Sequence, residues 1–314
     1  MDYPEPLIVP PLSLPHQQTF IILHGRGSSA SLFGPPLLDT PLSLKVSSSP
    51  SSKRSPPPGV QSLATAFPHA RFVFPSAPRR RAAVYKRTLT HQWFDNWDLD
   101  PPTIKREELQ NPGLRETTAY LHQLLRAEIE SVPGGVKNIF LGGLSQGCAA
   151  SLIALLLWDG DPLGAFVGMC GWLPYAYRLS GLIQAGTEEK GADAFDPFQR
   201  DEDEEDESQD EAIVPERPID EAVTWLREQI DQECGNRITR KQIGPDMTPV
   251  FLGHGVLDDK VGVVLGRMTR NTLTKLGLQV TWGEYEDLGH WYSKEMLRDL
   301  TDFLYVKSLG DTQE

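Results

Sequence analysis

Six short apolar runs, five of them ended by turn-forming residues, constrain this chain more than any other feature. Thr19–Leu23 stops at His24-Gly25, Arg71–Phe74 at Pro75 and Asn138–Leu141 at Gly142-Gly143. Ala165–Cys170 stops at Gly171, Pro249–Leu252 at Gly253, and Leu278–Trp282 leads into Glu284-Tyr285. Continuous apolar runs of this length suit strands covered on both faces, as in a parallel sheet, rather than strands with one wet face. Helical patterns lie between them. From Pro112 to Val132, Leu114, Tyr120, Leu121, Leu124, Leu125 and Ile129 recur at helical spacing, and Asn111 before Pro112 reads as a cap followed by proline in the first turn. Gln146 to Trp158 is apolar nearly all round and predicts a buried helix. Val261 to Leu276 and Trp291 to Ser308 predict amphipathic ones. Strands alternating with helices predict a doubly wound, mostly parallel sheet flanked by helices.

Two stretches interrupt that alternation. Residues 42–58 are rich in serine and proline, and residues 187–215 contain the acidic run Asp201–Glu211. Neither has the apolar content to offset the entropy of ordering its backbone, so both are expected to be flexible insertions in one domain spanning 1–314. Pro218 to Cys234 again has helical spacing (Ile219, Ala222, Val223, Leu226, Ile230) and reads as either a cap segment or a plain surface helix.

Composition excludes several classes. At 39% hydrophobic and 23% charged, the 314 residues are no disordered or fibrous chain. The apolar stretch Leu152–Trp158 is too short to span a bilayer, and Met1-Asp2-Tyr3-Pro4-Glu5 lacks the basic start of a secretory signal. The net charge of −13 is mostly local: without the nine acidic residues of 201–211 it falls to −4. Nothing there predicts a nucleic-acid surface. Three cysteines, Cys148, Cys170 and Cys234, suit neither a disulfide framework nor a zinc site, so a reducing, cytoplasmic setting is expected, with no metal and no cofactor.

The chemistry starts at Gly143-Leu144-Ser145-Gln146-Gly147, a G-x-S-x-G pattern. The bare pattern is weak, but its setting is specific: a strand ends just before it and an apolar helix starts within it. A serine on such a turn projects from the sheet rim, and the helix N-terminus presents free amides and a positive dipole end to a reacting carbonyl oxygen. A serine nucleophile needs a base, and the base needs an orienting carboxylate. Of seven histidines, His16, His69, His91 and His122 lie in the first half, away from suitable strand ends; His24 belongs to a glycine loop. His290 follows the last strand, where the chain order Ser, acid, His of an α/β-hydrolase arrangement puts the base. The acid should leave the preceding strand, through Gly253-His254-Gly255-Val256-Leu257-Asp258-Asp259. Asp258 is the first choice there, Asp259 its rival and Asp287 a third carboxylate, while His254 more plausibly shapes the turn. The glycine-flanked loop His24-Gly25-Arg26-Gly27-Ser28 allows backbone N–H groups to face a developing oxyanion. The backbone amides of Arg26 and Gln146 are the expected donors.

These pieces, in this order, resemble the acyl-protein thioesterase and carboxylesterase (phospholipase/carboxylesterase) family of α/β-hydrolases. The resemblance is carried by Phe20–Gly27, Phe74-Pro75-Ser76-Ala77-Pro78 with Trp93-Phe94-Asp95, Gly142–Gly147, Gly171-Trp172-Leu173-Pro174, His254-Gly255 with Asp258 and Val261, and Gly289-His290. It implies Ser145 as nucleophile, Asp258 as acid, favoured over Asp259 by its spacing to Val261, and His290 as base. It also implies substrate contacts at Trp93, Trp172 and Leu173. The implied substrates are acyl esters or thioesters borne by small molecules, lipids or acylated proteins. A small-molecule carboxylesterase or lysophospholipase is the enzymatic alternative, and a non-catalytic hydrolase-fold binding protein the other. Two departures from the family pattern stand out: Arg26 and Ser28 replace the usual apolar residue and acid of the first loop. Asp2 stands where some relatives carry a lipid-anchored cysteine. The basic cluster Arg79-Arg80-Arg81 with Lys86-Arg87 reads as a solvated loop, and Cys148 as a small packing residue.

Overall fold

The structure, a computed structural model, describes residues 2–42, 61–99, 106–192, 218–230 and 247–309. Nine strands and eight α-helices occur among these residues: β1 Leu7–Val9, β2 Gln18–Leu23, α1 Ala30–Asp39, α2 Leu63–Ala66, β3 Ala70–Phe74, β4 Arg79–Ala82, β5 Thr88–His91, α3 Asn111–Ser131, β6 Ile139–Leu144, α4 Gln146–Leu156, β7 Ala165–Met169, α5 Ala176–Ala192, α6 Pro218–Gln229, β8 Val250–Gly255, α7 Val263–Lys275, β9 Val280–Tyr285 and α8 Lys294–Leu309.

Seven strands form one sheet in the order β1-β3-β2-β6-β7-β8-β9, and all pair in parallel except β1, which runs antiparallel to β3. The apolar runs pair with one another: Phe20 stands between Phe72 and Phe140, and Phe166 between Leu141 and Val250. Both faces are covered, as continuous apolar runs require. Along β2, Ile21 and Leu23 enter a core shared with α3, α4, α5, α6 and α7. Phe20 and Ile22 enter a second core shared with α1, α2 and α8. This is the α/β-hydrolase fold.

Strand order reverses beside β2: β3 lies on one side and β6 on the other. Connections after β2 and after β6 therefore leave toward opposite faces, and a crevice opens at the strand carboxyl ends between them. The Gly25–Ser28 loop and Ser145 sit at that point.

Most of the expected elements form within a few residues of their predicted bounds. Three differences have physical causes. β1 is only three residues long, held between prolines Pro6 and Pro10; an edge strand tolerates such neighbours, but the sequence pattern hides it. The Arg79–Arg81 cluster is not a solvated loop but half of a hairpin, β4 paired antiparallel with β5. Arg80 bonds Glu116 at 2.7 Å and the Tyr3 hydroxyl at 3.3 Å. Asn111 is the first helical residue of α3 rather than its cap; the position before it is Gln110, and the Asn111 side-chain oxygen accepts the Tyr175 hydroxyl instead. Of the expected insertions, residues 43–58 and 193–215 lie outside the described residues, while α5 runs through 187–192. Helix α6 buries Ala222, Val223 and Leu226 in the larger core, and Trp225 meets the Tyr175 ring edge-on at 5.4 Å. Residues 231–234 of the expected helix, Cys234 among them, lie outside the described set.

Candidate active site

Ser145 sits between β6 and α4 with φ 56° and ψ −123°, a strained conformation for a residue with a Cβ. The neighbouring backbone makes it possible. A Cβ on Gly143 would come 2.5 Å from the Gly147 carbonyl carbon, and one on Gly147 would come 2.5 Å from the carbonyl oxygens of Leu23 and His24. Both glycines are thus required by close approach of the helix start to β6 and β2. The Ser145 N–H donates to Met169 O at 2.9 Å, and its carbonyl accepts from Ala149 N at 3.1 Å, so the turn is fixed from both sides.

The side chains expected to act together converge. His290, on the loop after β9, places Nε2 2.9 Å from Ser145 Oγ and Nδ1 2.7 Å from Asp258 Oδ2. A proton on Nδ1 satisfies Asp258 and leaves Nε2 to accept the serine hydroxyl. Asp258, just after β8, is fully buried at its side chain. Its Oδ1 accepts the N–H groups of Lys260 at 2.9 Å and Val261 at 2.8 Å, and its Oδ2 faces both His290 and, at 3.3 Å, His254 Nε2. Burial alone pushes this carboxyl up, but hydrogen bonds from His254, His290 and the Val261 amide, with the attraction of His290, outweigh it. The net effect holds Asp258 well below the ordinary carboxylate range. The rivals go elsewhere: Asp259 is exposed and pairs with Lys260 at 3.1 Å, and Asp287 is exposed. His254 donates Nε2–H to Val261 O at 2.7 Å, which is the turn-shaping part expected of it.

The first loop is tied down by His24. Its Nε2 accepts the Ala77 N–H at 3.0 Å, which leaves Nδ1 to donate to Gly25 O at 2.8 Å. Burial pulls this imidazole down to about 4, so it stays neutral in the ordinary pH range. The loop delivers Arg26 to the cleft that also holds Ser145 and Gln146. Among the described residues, neither the Arg26 nor the Gln146 backbone N–H meets an acceptor within the protein. Gln146 opens α4, where such a group has no partner inside the helix.

The cleft has a volume of about 490 Å³. Of the three residues expected to touch substrate, Trp172 lines the cleft, whereas Trp93 and Leu173 do not. Trp93 is fully buried and spends its indole N–H on His24 O at 2.8 Å; Leu173 is in the core with its amide on Thr269 Oγ1 at 2.7 Å. Apolar type alone did not separate a core residue from a lining one. The walls instead include Tyr85, Asn96, Trp97 and Trp291. The Gln146 side chain joins this wall to the elbow, accepting from Trp93 N at 3.0 Å and donating to Phe94 O at 2.8 Å and Asn96 Oδ1 at 3.3 Å. The polar pair Gln146 and Asn96 was detectable only as two amides 50 positions apart. No described α6 residue lines the cleft, so the cap reading of this helix has no support there. Cys148 is buried, with its thiol pushed up by burial, which fits packing rather than reactivity. Among the described residues no cluster of metal-ligating side chains occurs.

Fold and site together define an α/β-hydrolase with serine, histidine and aspartate in hydrogen-bonded series. Residues 59–189 and 238–308 match the phospholipase/carboxylesterase family, and the chain belongs to that family. Acyl-protein thioesterase 1 of Gibberella zeae is 26% identical over 238 residues, covering 74% of this chain and 75% of that protein. The Saccharomyces cerevisiae acyl-protein thioesterase 1 is 30% identical over 160 residues, covering 50% of this chain and 60% of that one. The crystal structure of Zea mays acyl-protein thioesterase 2 superposes with a TM-score of 0.60 at 19% identity, covering 97% of this chain and 99% of that one.

Proposed function

We propose that the chain is a serine hydrolase that cleaves carboxylic thioesters or esters through an acyl-enzyme on Ser145, in the manner its acyl-protein thioesterase relatives' names describe. One observation carries the reading: the unbroken series Ser145 Oγ, His290 Nε2, His290 Nδ1, Asp258 Oδ2, with steps of 2.9 and 2.7 Å across the ring.

Each residue's part follows from its contacts. His290 Nε2 takes the hydroxyl proton as Ser145 Oγ attacks the substrate carbonyl carbon. The oxygen of that carbonyl gains negative charge between the amides of Arg26 and Gln146, which donate to it. His290 then gives its proton to the departing thiolate or alkoxide, and the carbon–sulfur or carbon–oxygen bond breaks. Water, deprotonated by His290, attacks the acyl-serine; the bond from the acyl carbon to Ser145 Oγ breaks, His290 returns the proton to Oγ, and the acid leaves. Asp258 keeps the imidazole in the tautomer that accepts from serine and stabilises its cationic form, without itself taking the proton. The low proton affinity of the buried carboxyl suits that part.

Thioester over oxygen ester is supported by the relatives' names. A cytoplasmic setting is supported by Cys148 and Cys170, which are unpaired. Among the described residues, no helix is long and apolar enough to cross a membrane. A panel of palmitoyl-thioester peptide, lysophospholipid and short nitrophenyl ester, each run with wild type and Ser145→Ala, tests the proposal. Turnover of the thioester with the highest kcat/KM, lost in Ser145→Ala, is the expected result. A Ser145→Ala protein that still turns over any of the three by the same mechanism removes the reading.

A further inference from the structure

The cleft that holds Ser145 also holds a cation, Arg26, that forms no direct ion pair among the described residues. The Arg26 guanidinium donates through Nη2 to Asn96 Oδ1, its Cζ lies 5.7 Å from the centre of the Tyr85 ring, and the Tyr85 hydroxyl is a further hydrogen-bonding neighbour. Its Nε is buried and meets no acceptor among the described residues. Asp95 attracts the Arg26 charge from a distance, but both Asp95 oxygens accept the Ala83 N–H, at 2.9 and 3.2 Å, and neither bonds the guanidinium. Burial pulls Arg26 down from its ordinary value, the signature of a charge held away from water. Lys260 adds a second cation to the lining but is paired with Asp259; Asp98 lines the cleft without forming an ion pair with Arg26.

A guanidinium whose Nε–H is buried and unused is costly, and a neutral acyl chain in the same cleft would leave that cost in place. An anionic oxygen group removes it. The planar fork of arginine matches a carboxylate or phosphate, and such charge-assisted bonds are the stronger kind. Arg26 lines the same cleft as Ser145, so an anionic group that meets its side chain belongs to a substrate held at the proposed nucleophile.

We propose that Arg26 selects substrates that carry a carboxylate or phosphate close to the scissile carbonyl. The inference deepens the hydrolase reading and rests on it. Asn96 is then a positioning residue: it holds the guanidinium through the same oxygen that accepts from Gln146, linking the anion site to the elbow.

Matched ester pairs test this in two arms. The acyl arm compares the 4-nitrophenyl monoester of glutarate with 4-nitrophenyl pentanoate. The leaving-group arm compares the acetates of 3-carboxy-4-nitrophenol and 4-nitrophenol. For each pair the anionic-to-neutral ratio of kcat/KM is read within one protein, so intrinsic reactivity and any shift of the loop amide cancel when proteins are compared. Wild type is expected to exceed Arg26→Met in this ratio by about tenfold or more in one arm, which identifies the side bearing the anion. Arg26→Lys, retaining charge but not the fork, should keep part of the preference, and added salt should shrink it in wild type. Arg26→Gln serves as the second charge-removing variant. Inhibition by glutarate against inorganic phosphate, again compared between wild type and Arg26→Met, separates the two anions. Equal ratios in wild type, Arg26→Met and Arg26→Gln in both arms overturn the proposal. Failure of the underlying hydrolase reading shows differently: wild type would neither hydrolyse the neutral esters nor react with a fluorophosphonate probe.

Discussion

The two sides of the cleft are built on opposite terms. On the side of β6, β8 and the loop after β9, every polar atom of the Ser145, His290 and Asp258 series has a partner, and the Asp258 carboxylate accepts two backbone N–H groups besides its histidines. On the side formed by the first loop and residues 84–99, polar capacity is left over. Arg26 Nε and Asp98 Oδ1 are buried and have no partner among the described residues. A fully bonded network holds one geometry, which is what proton transfer needs. A wall with unspent donors and acceptors is fitted to whatever fills it. On the proposed reading, catalysis and selection are separated in space, one side closed and the other open to substrate.

The largest effect should come from the closed side. Ser145→Ala is expected to lower kcat by at least about four orders of magnitude, and Asp258→Asn by about the same, while urea midpoints move little for Ser145→Ala. A loss below tenfold in either variant would break the distinction between the two sides.

The support beneath the elbow comes next. Gly147→Ala puts a methyl group 2.5 Å from two backbone oxygens of β2 and its following loop, none of which can move without disturbing the sheet. Chemical denaturation should report a loss of about 3 kcal/mol. Wild-type stability in that variant would show that the elbow is less tightly packed against β2 than the geometry requires.

His24 gives a smaller effect with a defined pH window. Its folded value of about 4 lies below the ordinary 6.5, so the unfolded chain takes up a proton first as pH falls. The neutral imidazole therefore costs nothing above pH 6.5, and stability is lost between about 6.5 and 4, by up to about 3 kcal/mol. Asp258 loses its own contribution in the same direction, but only below the ordinary carboxylate value of 3.8. His24→Asn should flatten the slope between pH 6.5 and 4 and leave the lower limb. An unchanged slope would assign that limb to other groups.

The smallest effect belongs to the open side. Asn96→Ala frees the Arg26 guanidinium and one Gln146 bond. It should raise KM for an anionic ester by less than about tenfold, with kcat less affected. If kcat fell instead, Asn96 would be holding the elbow rather than the wall.

This contrast also explains what was legible beforehand. Ser145, Asp258 and His290 stand at the ends of strands whose apolar runs announce themselves, so their positions follow from the order of elements. The open wall is made of a short charged hairpin and the irregular stretch around Asn96 and Trp97, where no periodicity marks which side chain faces inward. Trp93 and Trp97 look alike in sequence. Trp93 turns into the core because its indole N–H finds His24 O, whereas Trp97 stays on the cleft. Edge strand β1, between prolines, was hidden for a similar reason: three residues carry too little pattern to read.

The central claim is that Ser145 carries the acyl group. Wild-type enzyme mixed with a 4-nitrophenyl ester and quenched in acid within the first turnover should give one peptide heavier by the acyl mass, with the addition on Ser145. It should also release a burst of nitrophenol equal to the acylated fraction. Acyl mass found on another residue, or turnover with no acylated peptide at any quench time, would contradict the account.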